Sequence, residues 1–164
     1  MESNLEKILR EAKEQRIPEL SNELDNILFL DIDGVINLDP TNHTGPFKAE
    51  EQINNLNELC LEYDFKIVVD SSWRSHSDYK DILYNSGLKY KIPIVDRTEH
   101  LDYDRETEIL KYLETNHYVD LFIILDDNDF NELSKYHVKT ETDKGFTKEK
   151  LEEARRLIEE LKNN

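Results

Sequence analysis

The sequence predicts an α/β fold, a three-layer Rossmann-like arrangement with a central parallel sheet of about five strands and helices on both faces. Three observations carry that expectation: short uninterrupted apolar runs, amphipathic stretches between them, and polar residues gathered just after the runs.

Taken in order, Ser3-Asn4-Leu5-Glu6 has the pattern of a capping box, and Leu5, Ile8, Leu9 and Ala12 follow at the spacing of one helical face until Pro18. An N-terminal amphipathic helix within residues 1–20 is expected. Ile27 to Ile32 is a continuous apolar run, the pattern of a strand covered on both faces, and Ile67 to Val69, Ile92 to Val95 and Leu121 to Leu125 repeat it. Tyr136 to Thr140 is the candidate fifth strand. Helical patterns intervene at Phe47 to Tyr63 (Ile53, Leu56, Cys60 and Tyr63 on one side), Asp78 to Asn85 and Arg105 to Glu114. A last one, Thr147 to Leu161, carries Leu151, Ala154, Ile158 and Leu161. Strands alternating with helices imply right-handed crossovers in one parallel sheet. The 164 residues suit a single domain, 1–164, with its core in 27–162.

Composition excludes several classes. The lone Cys60 allows neither a disulfide framework nor a thiolate metal cluster, so a reducing, cytoplasmic setting is expected. No apolar stretch approaches the roughly 20 residues that span a bilayer, so no membrane partner is expected. A net charge of −16 opposes clamping an extended duplex, because such affinity rests on Lys and Arg neutralising phosphates. The acid is unevenly spread, however. Residues 66–111 carry eight basic against nine acidic side chains, so the middle of the chain can still meet a phosphorylated ligand.

In an open parallel sheet, ligands collect beyond the carboxyl ends of the strands. Four such places carry polar groups: Asp31 and Asp33, Asp70 to Arg74, Arg105, and Asp126 to Asp129. Asp31 and Asp33 can face one crevice, with Gly34 letting the backbone turn behind them. Neighbouring carboxylates repel unless a cation or proton lies between them, and a hard divalent ion held by carboxylate oxygens resolves the conflict. Asp126 and Asp127 can supply further oxygens. One Asp after a strand is usually a turn or cap residue; two pairs after two buried strands point to a site. Trp73 reads as core or site wall, and Asp129 as a cap for the next turn. None of the five histidines has the paired spacing of a zinc site, and His43 and His76 are expected to be solvated.

The segment Asp31-Ile-Asp-Gly-Val-Ile-Asn37 resembles the first motif of the haloacid dehalogenase superfamily, Val68-Val-Asp-Ser-Ser-Trp-Arg74 its second, and Ile123-Ile-Leu-Asp-Asp127 its fourth. The Ser-Ser-Trp-Arg and Asp-Asp endings together are similar to the haloacid-dehalogenase domains of Swiss Army Knife RNA repair proteins. The resemblance implies a magnesium-dependent phosphatase in which Asp31 attacks phosphorus to form an aspartyl-phosphate. Asp33 would protonate the leaving oxygen and then activate water. It implies a metal site at Asp31, Asp33, Asp126 and Asp127, and a substrate-binding set of Gly34, Ser72 and Arg74. The phosphoryl-binding hydroxyl is Ser71 or Ser72, and the cation of the third motif is Arg105, preferred here, or Lys111.

Only about ten residues separate the first motif from the next helix, so no large cap domain is expected. Capless members resemble enzymes that act on exposed phosphates. The expected partner is a phosphorylated small molecule, a nucleotide or a nucleic-acid terminus. A phosphoprotein phosphatase, and a binding or regulatory module that has lost turnover, are the alternatives.

Overall fold

A computed structural model describes residues 1–15, 24–101 and 104–164. The first helix, α1 (Asn4–Gln15), is closed by the expected box: Ser3 Oγ accepts the Glu6 N–H, and Glu6 Oε2 accepts the Ser3 N–H. The stop expected at Pro18 lies outside the described residues. The remaining elements alternate as β1 (Asp25–Leu30), α2 (Glu50–Tyr63), β2 (Phe65–Val69), α3 (Tyr79–Asn85), β3 (Ile94–Arg97), α4 (Arg105–Thr115), β4 (Val119–Asp126), β5 (His137–Lys139) and α5 (Lys148–Lys162).

The five strands form one wholly parallel sheet in the order β3-β2-β1-β4-β5. Leu28, Leu30, Ile67, Val69, Ile123 and Leu125 face α2, α3 and α5 in one apolar layer. Ile27, Phe29, Val68, Phe122 and Ile124 face α1 and α4 in the other. The period-two alternation of a strand explains both layers from one set of runs.

That alternation also places the chemistry. One step beyond Phe29, Val68 and Ile124 on the α4 side come Asp31, Asp70 and Asp126, and the register aligns Leu30 with both Val69 and Leu125. Three carboxylates therefore leave the sheet at one level, over the start of α4.

Several element ends differ from the sequence reading, and two of the shifts have a plain cause. β3 begins two residues later than expected because Pro93 has no N–H, and the Ile92 N–H belongs to a turn on Lys89 O. β1 ends at Leu30 because the Ile32 carbonyl accepts the N–H groups of Val35, Ile36 and Asn37, which winds the chain into a tight loop. From that loop to α2, and from β2 to β3, no inserted segment is large enough to form a cap. No helix among the described residues is long and apolar enough to cross a membrane.

Candidate active site

The Asp31, Asp126 and Asp127 side chains each offer an oxygen, and these oxygens lie within 4.8 Å of one another. Asp31 and Asp126 are buried, which disfavours their charged forms, and burial followed by their mutual repulsion pushes the Asp31 carboxyl well above its ordinary range, against the pull of Arg105. Burial likewise raises Asp126, although the Asn128 backbone N–H and the Arg105 charge oppose it. The Asn128 N–H and Nδ2 both donate to Asp126 Oδ1 at 2.9 Å, while Oδ2 is buried without a hydrogen-bond partner. A buried carboxylate oxygen left bare is the feature a cation would satisfy.

Arg105 opens α4, whose start is fixed by Asp104 Oδ1 accepting the Thr107 N–H; such caps stabilise a helix by about 1 kcal/mol. Its guanidinium lies 3.8 Å from Asp31 Oδ1 and 3.9 Å from Glu108 Oε1. Burial works against its charge, but Asp31, Asp70, Asp126 and Glu108 outweigh that cost and hold it protonated. Lys111 is exposed farther along the helix. Arg105 also lines a cleft of about 400 Å³ with Ser72, Arg74, His100, Asn128 and Asp129.

The structure places several expected residues differently. Arg74 is 4% exposed, and its two terminal nitrogens donate to the protein's own carboxylates, Glu108 at 2.5 Å and Asp70 at 3.3 Å, while its Nε is buried without a partner. Gly34 has no free backbone group for a substrate, since its N–H goes to Asn37 O and its carbonyl accepts Thr140 Oγ1. Its φ is +80°, and a Cβ there would come 2.2 Å from Asp127 Oδ2, so only glycine admits that carboxylate.

Asp33 stands apart from the three clustered carboxylates; its Oδ1 accepts from Trp73 Nε1 and Asn37 Nδ2. Ser71 is buried and caps the turn by accepting the Trp73 N–H, whereas Ser72 is exposed on the cleft wall. Asp129 pairs with Lys139 instead of capping a turn. His43 is exposed, but His76 stacks on Trp73.

Sequence reading did not single out Thr98, Glu108 or Thr142. Thr98 Oγ1 donates to Asp70 Oδ1 at 2.7 Å, and Thr142 Oγ1 donates to Asp127 Oδ2 at 2.8 Å. Glu108 carried a legible signal, an acid beside Ile109 on the inward side of a helix.

A doubly covered parallel sheet with aspartates beyond β1 and β4 is the arrangement expected of a domain of the haloacid dehalogenase superfamily, a phosphohydrolase class. The family model for the HAD domain in Swiss Army Knife RNA repair proteins matches residues 27–151, and the chain belongs to that family. No curated protein and no solved structure gave a significant match.

Proposed function

We propose that the protein is a magnesium-dependent phosphomonoesterase with Asp31 as nucleophile, acting on an exposed phosphate such as that of a nucleotide or a nucleic-acid end. The observation that carries this reading is the convergence of Asp31, Asp126 and Asp127 with one oxygen left bare in a buried setting. Asp31, Asp126 and Asp127 converge within 4.8 Å of one another, with Arg105 3.8 Å from Asp31, so the donor set fits a divalent cation. Asp31, Asp126 and Asp127 would hold it, with the Asp33 side chain left for proton transfer. When bound, magnesium supplies charge neutralisation and polarises the phosphoryl group.

Asp31 attacks phosphorus, forming the P–O bond of an aspartyl-phosphate as the bond to the leaving oxygen breaks. Asp33 gives that oxygen its proton. Water then attacks the same phosphorus, returns a proton to Asp33 and releases inorganic phosphate from Asp31. Arg105 balances the charge on the phosphoryl group in flight, and Ser72, the hydroxyl on the cleft wall, donates to a phosphoryl oxygen.

The capless site suits a phosphate on a larger molecule, and the RNA repair proteins of the family point the same way. A terminal phosphate avoids most of the repulsion that a net charge of −16 imposes on a duplex. The test is phosphate release from an aryl phosphate, then from nucleotides and oligonucleotide ends, with magnesium. Asp31→Asn is expected to lower turnover by a factor on the order of 10³ or more. Wild-type protein that releases no phosphate from any of these would favour a binding module, and an Asp31→Asn variant as active as wild type would remove the nucleophile assignment.

A further inference from the structure

We propose that Trp73 and Asn37 are positioning residues for Asp33, dividing its carboxylate into one anchored oxygen and one working oxygen; this rests on Asp33 being the acid and base of the reaction above. Trp73 Nε1–H donates to Asp33 Oδ1 at 3.0 Å, and Asn37 Nδ2–H donates to the same oxygen at 2.9 Å. Oδ2 accepts no hydrogen bond among the described residues. Asp33 itself is exposed, so without these two donors its side chain would be free to rotate in solvent.

Both donors are fixed by other contacts. Trp73 is 4% exposed, meets Phe47 edge-on at 4.8 Å, stacks on His76 at 4.9 Å, and has its backbone N–H on Ser71 Oγ. Asn37 has its backbone N–H on Ile32 O, its Nδ2 also on Asn42 O, and its Oδ1 accepting the Asp39 N–H. The two come from different loops, those following β2 and β1, and meet on one carboxylate oxygen.

An indole N–H can only donate, and the amide nitrogen of Asn37 can only donate as well. Oδ1 therefore faces two donors and is a poor seat for a proton. The transferable proton sits on Oδ2, passes to the leaving oxygen as its bond to phosphorus breaks, and is replaced from the attacking water. Holding Oδ2 in one orientation is preorganisation, which costs nothing at the moment of reaction. A tryptophan kept only for packing would not need its nitrogen aimed at this carboxylate.

The test compares kcat/KM for an alkyl phosphate, whose leaving oxygen needs the proton, with kcat/KM for 2,4-dinitrophenyl phosphate, whose leaving group departs without it. Trp73→Phe keeps a ring and removes the N–H; Asn37→Ala removes the second donor from the other loop, so the result does not hang on tolerance of the Trp73 pocket. Each is expected to lower the alkyl value about tenfold and the dinitrophenyl value less than about twofold. Asp33→Asn shows the same selectivity more strongly, and Asp33→Asn combined with Trp73→Phe is no slower than Asp33→Asn alone. Phe47→Leu, which removes a contact that fixes the indole but leaves its N–H, lowers the alkyl value selectively and by less than Trp73→Phe. Equal losses on both substrates in Trp73→Phe and Asn37→Ala, or losses that multiply with Asp33→Asn, overturn the proposal. An Asp33→Asn variant that shows no selectivity overturns instead the assignment of Asp33 as the acid.

Discussion

Around Arg74 the chain pairs its charges at contact distance, with Glu108 at 2.5 Å and Asp70 at 3.3 Å, both nearly inaccessible to solvent, although Asp70 Oδ2 and Arg74 Nε keep no hydrogen-bond partner. Around Arg105 the ion-pair distances are 3.8 Å to Asp31 and 3.9 Å to Glu108, and the strand-end carboxylates Asp31 and Asp126 both act on this loosely held cation. The same residue types thus build a closed half and an open half on one face of one sheet. A buried ion pair matched by the chain itself is structural, whereas an arginine kept at a distance from its carboxylates leaves room for a phosphoryl group between them.

The sharpest way to break this contrast is to truncate each arginine. Arg105→Ala is expected to cut kcat on an aryl phosphate by about 10²–10³-fold with little change in melting temperature. Arg74→Ala is expected to cost about 3–5 kcal/mol in denaturant unfolding, because it strands two buried carboxylates. If Arg74→Ala keeps full stability and loses only substrate affinity, the closed half is not closed.

Next in size is Gly34→Ala. Its Cβ would meet the Asp127 carboxylate, and a non-glycine residue at φ of +80° adds strain of about 1–2 kcal/mol. Magnesium affinity, read by calorimetry, is expected to fall together with stability. Unchanged affinity would separate Asp127 from the metal site.

A further contrast is a pH dependence of the closed half. Two carboxylates share Arg74, and burial raises the Asp70 carboxyl from 3.8 to about 7, opposed by the Thr98 hydroxyl and Arg105 and reinforced by Glu108. The folded state therefore holds a proton that the unfolded chain releases near 3.8. The resulting stability is fully present below that value and is lost as pH rises through about 7. Melting temperatures of metal-free protein should fall between pH 5 and pH 8, and less steeply in Asp70→Asn. Identical slopes would place the titrating group elsewhere.

The open half was the more legible of the two in the sequence. Asp31, Asp126 and Asp127 directly follow long apolar runs, so the strand-end rule finds them without any knowledge of neighbours. Thr98 follows the same rule but was hidden, because the apolar letters Ile92 to Val95 suggest a strand two residues early and only Pro93 betrays the offset. Arg74 was legible as a polar residue beyond β2 but not as a buried one, and its pairing with Glu108 across 34 residues is a tertiary fact. Gly34 was legible as a turn but not as the gap that admits Asp127. The fold itself was read with errors of one to three residues at element ends, where capping bonds rather than hydrophobic pattern set the boundary.

The loop after β5 has a bearing on dynamics. Thr140 Oγ1 holds the Gly34 carbonyl, the Phe146 N–H holds the Val35 carbonyl, and Thr142 holds Asp127. β5 is an edge strand of three residues, the kind of segment that opens locally before the rest of a sheet. Because its trailing loop is tied to the loop after β1 and to a clustered carboxylate, fraying of that edge would remove contacts that hold the carboxylate geometry. Any ligand that favours the assembled carboxylates therefore also fastens the far edge of the sheet.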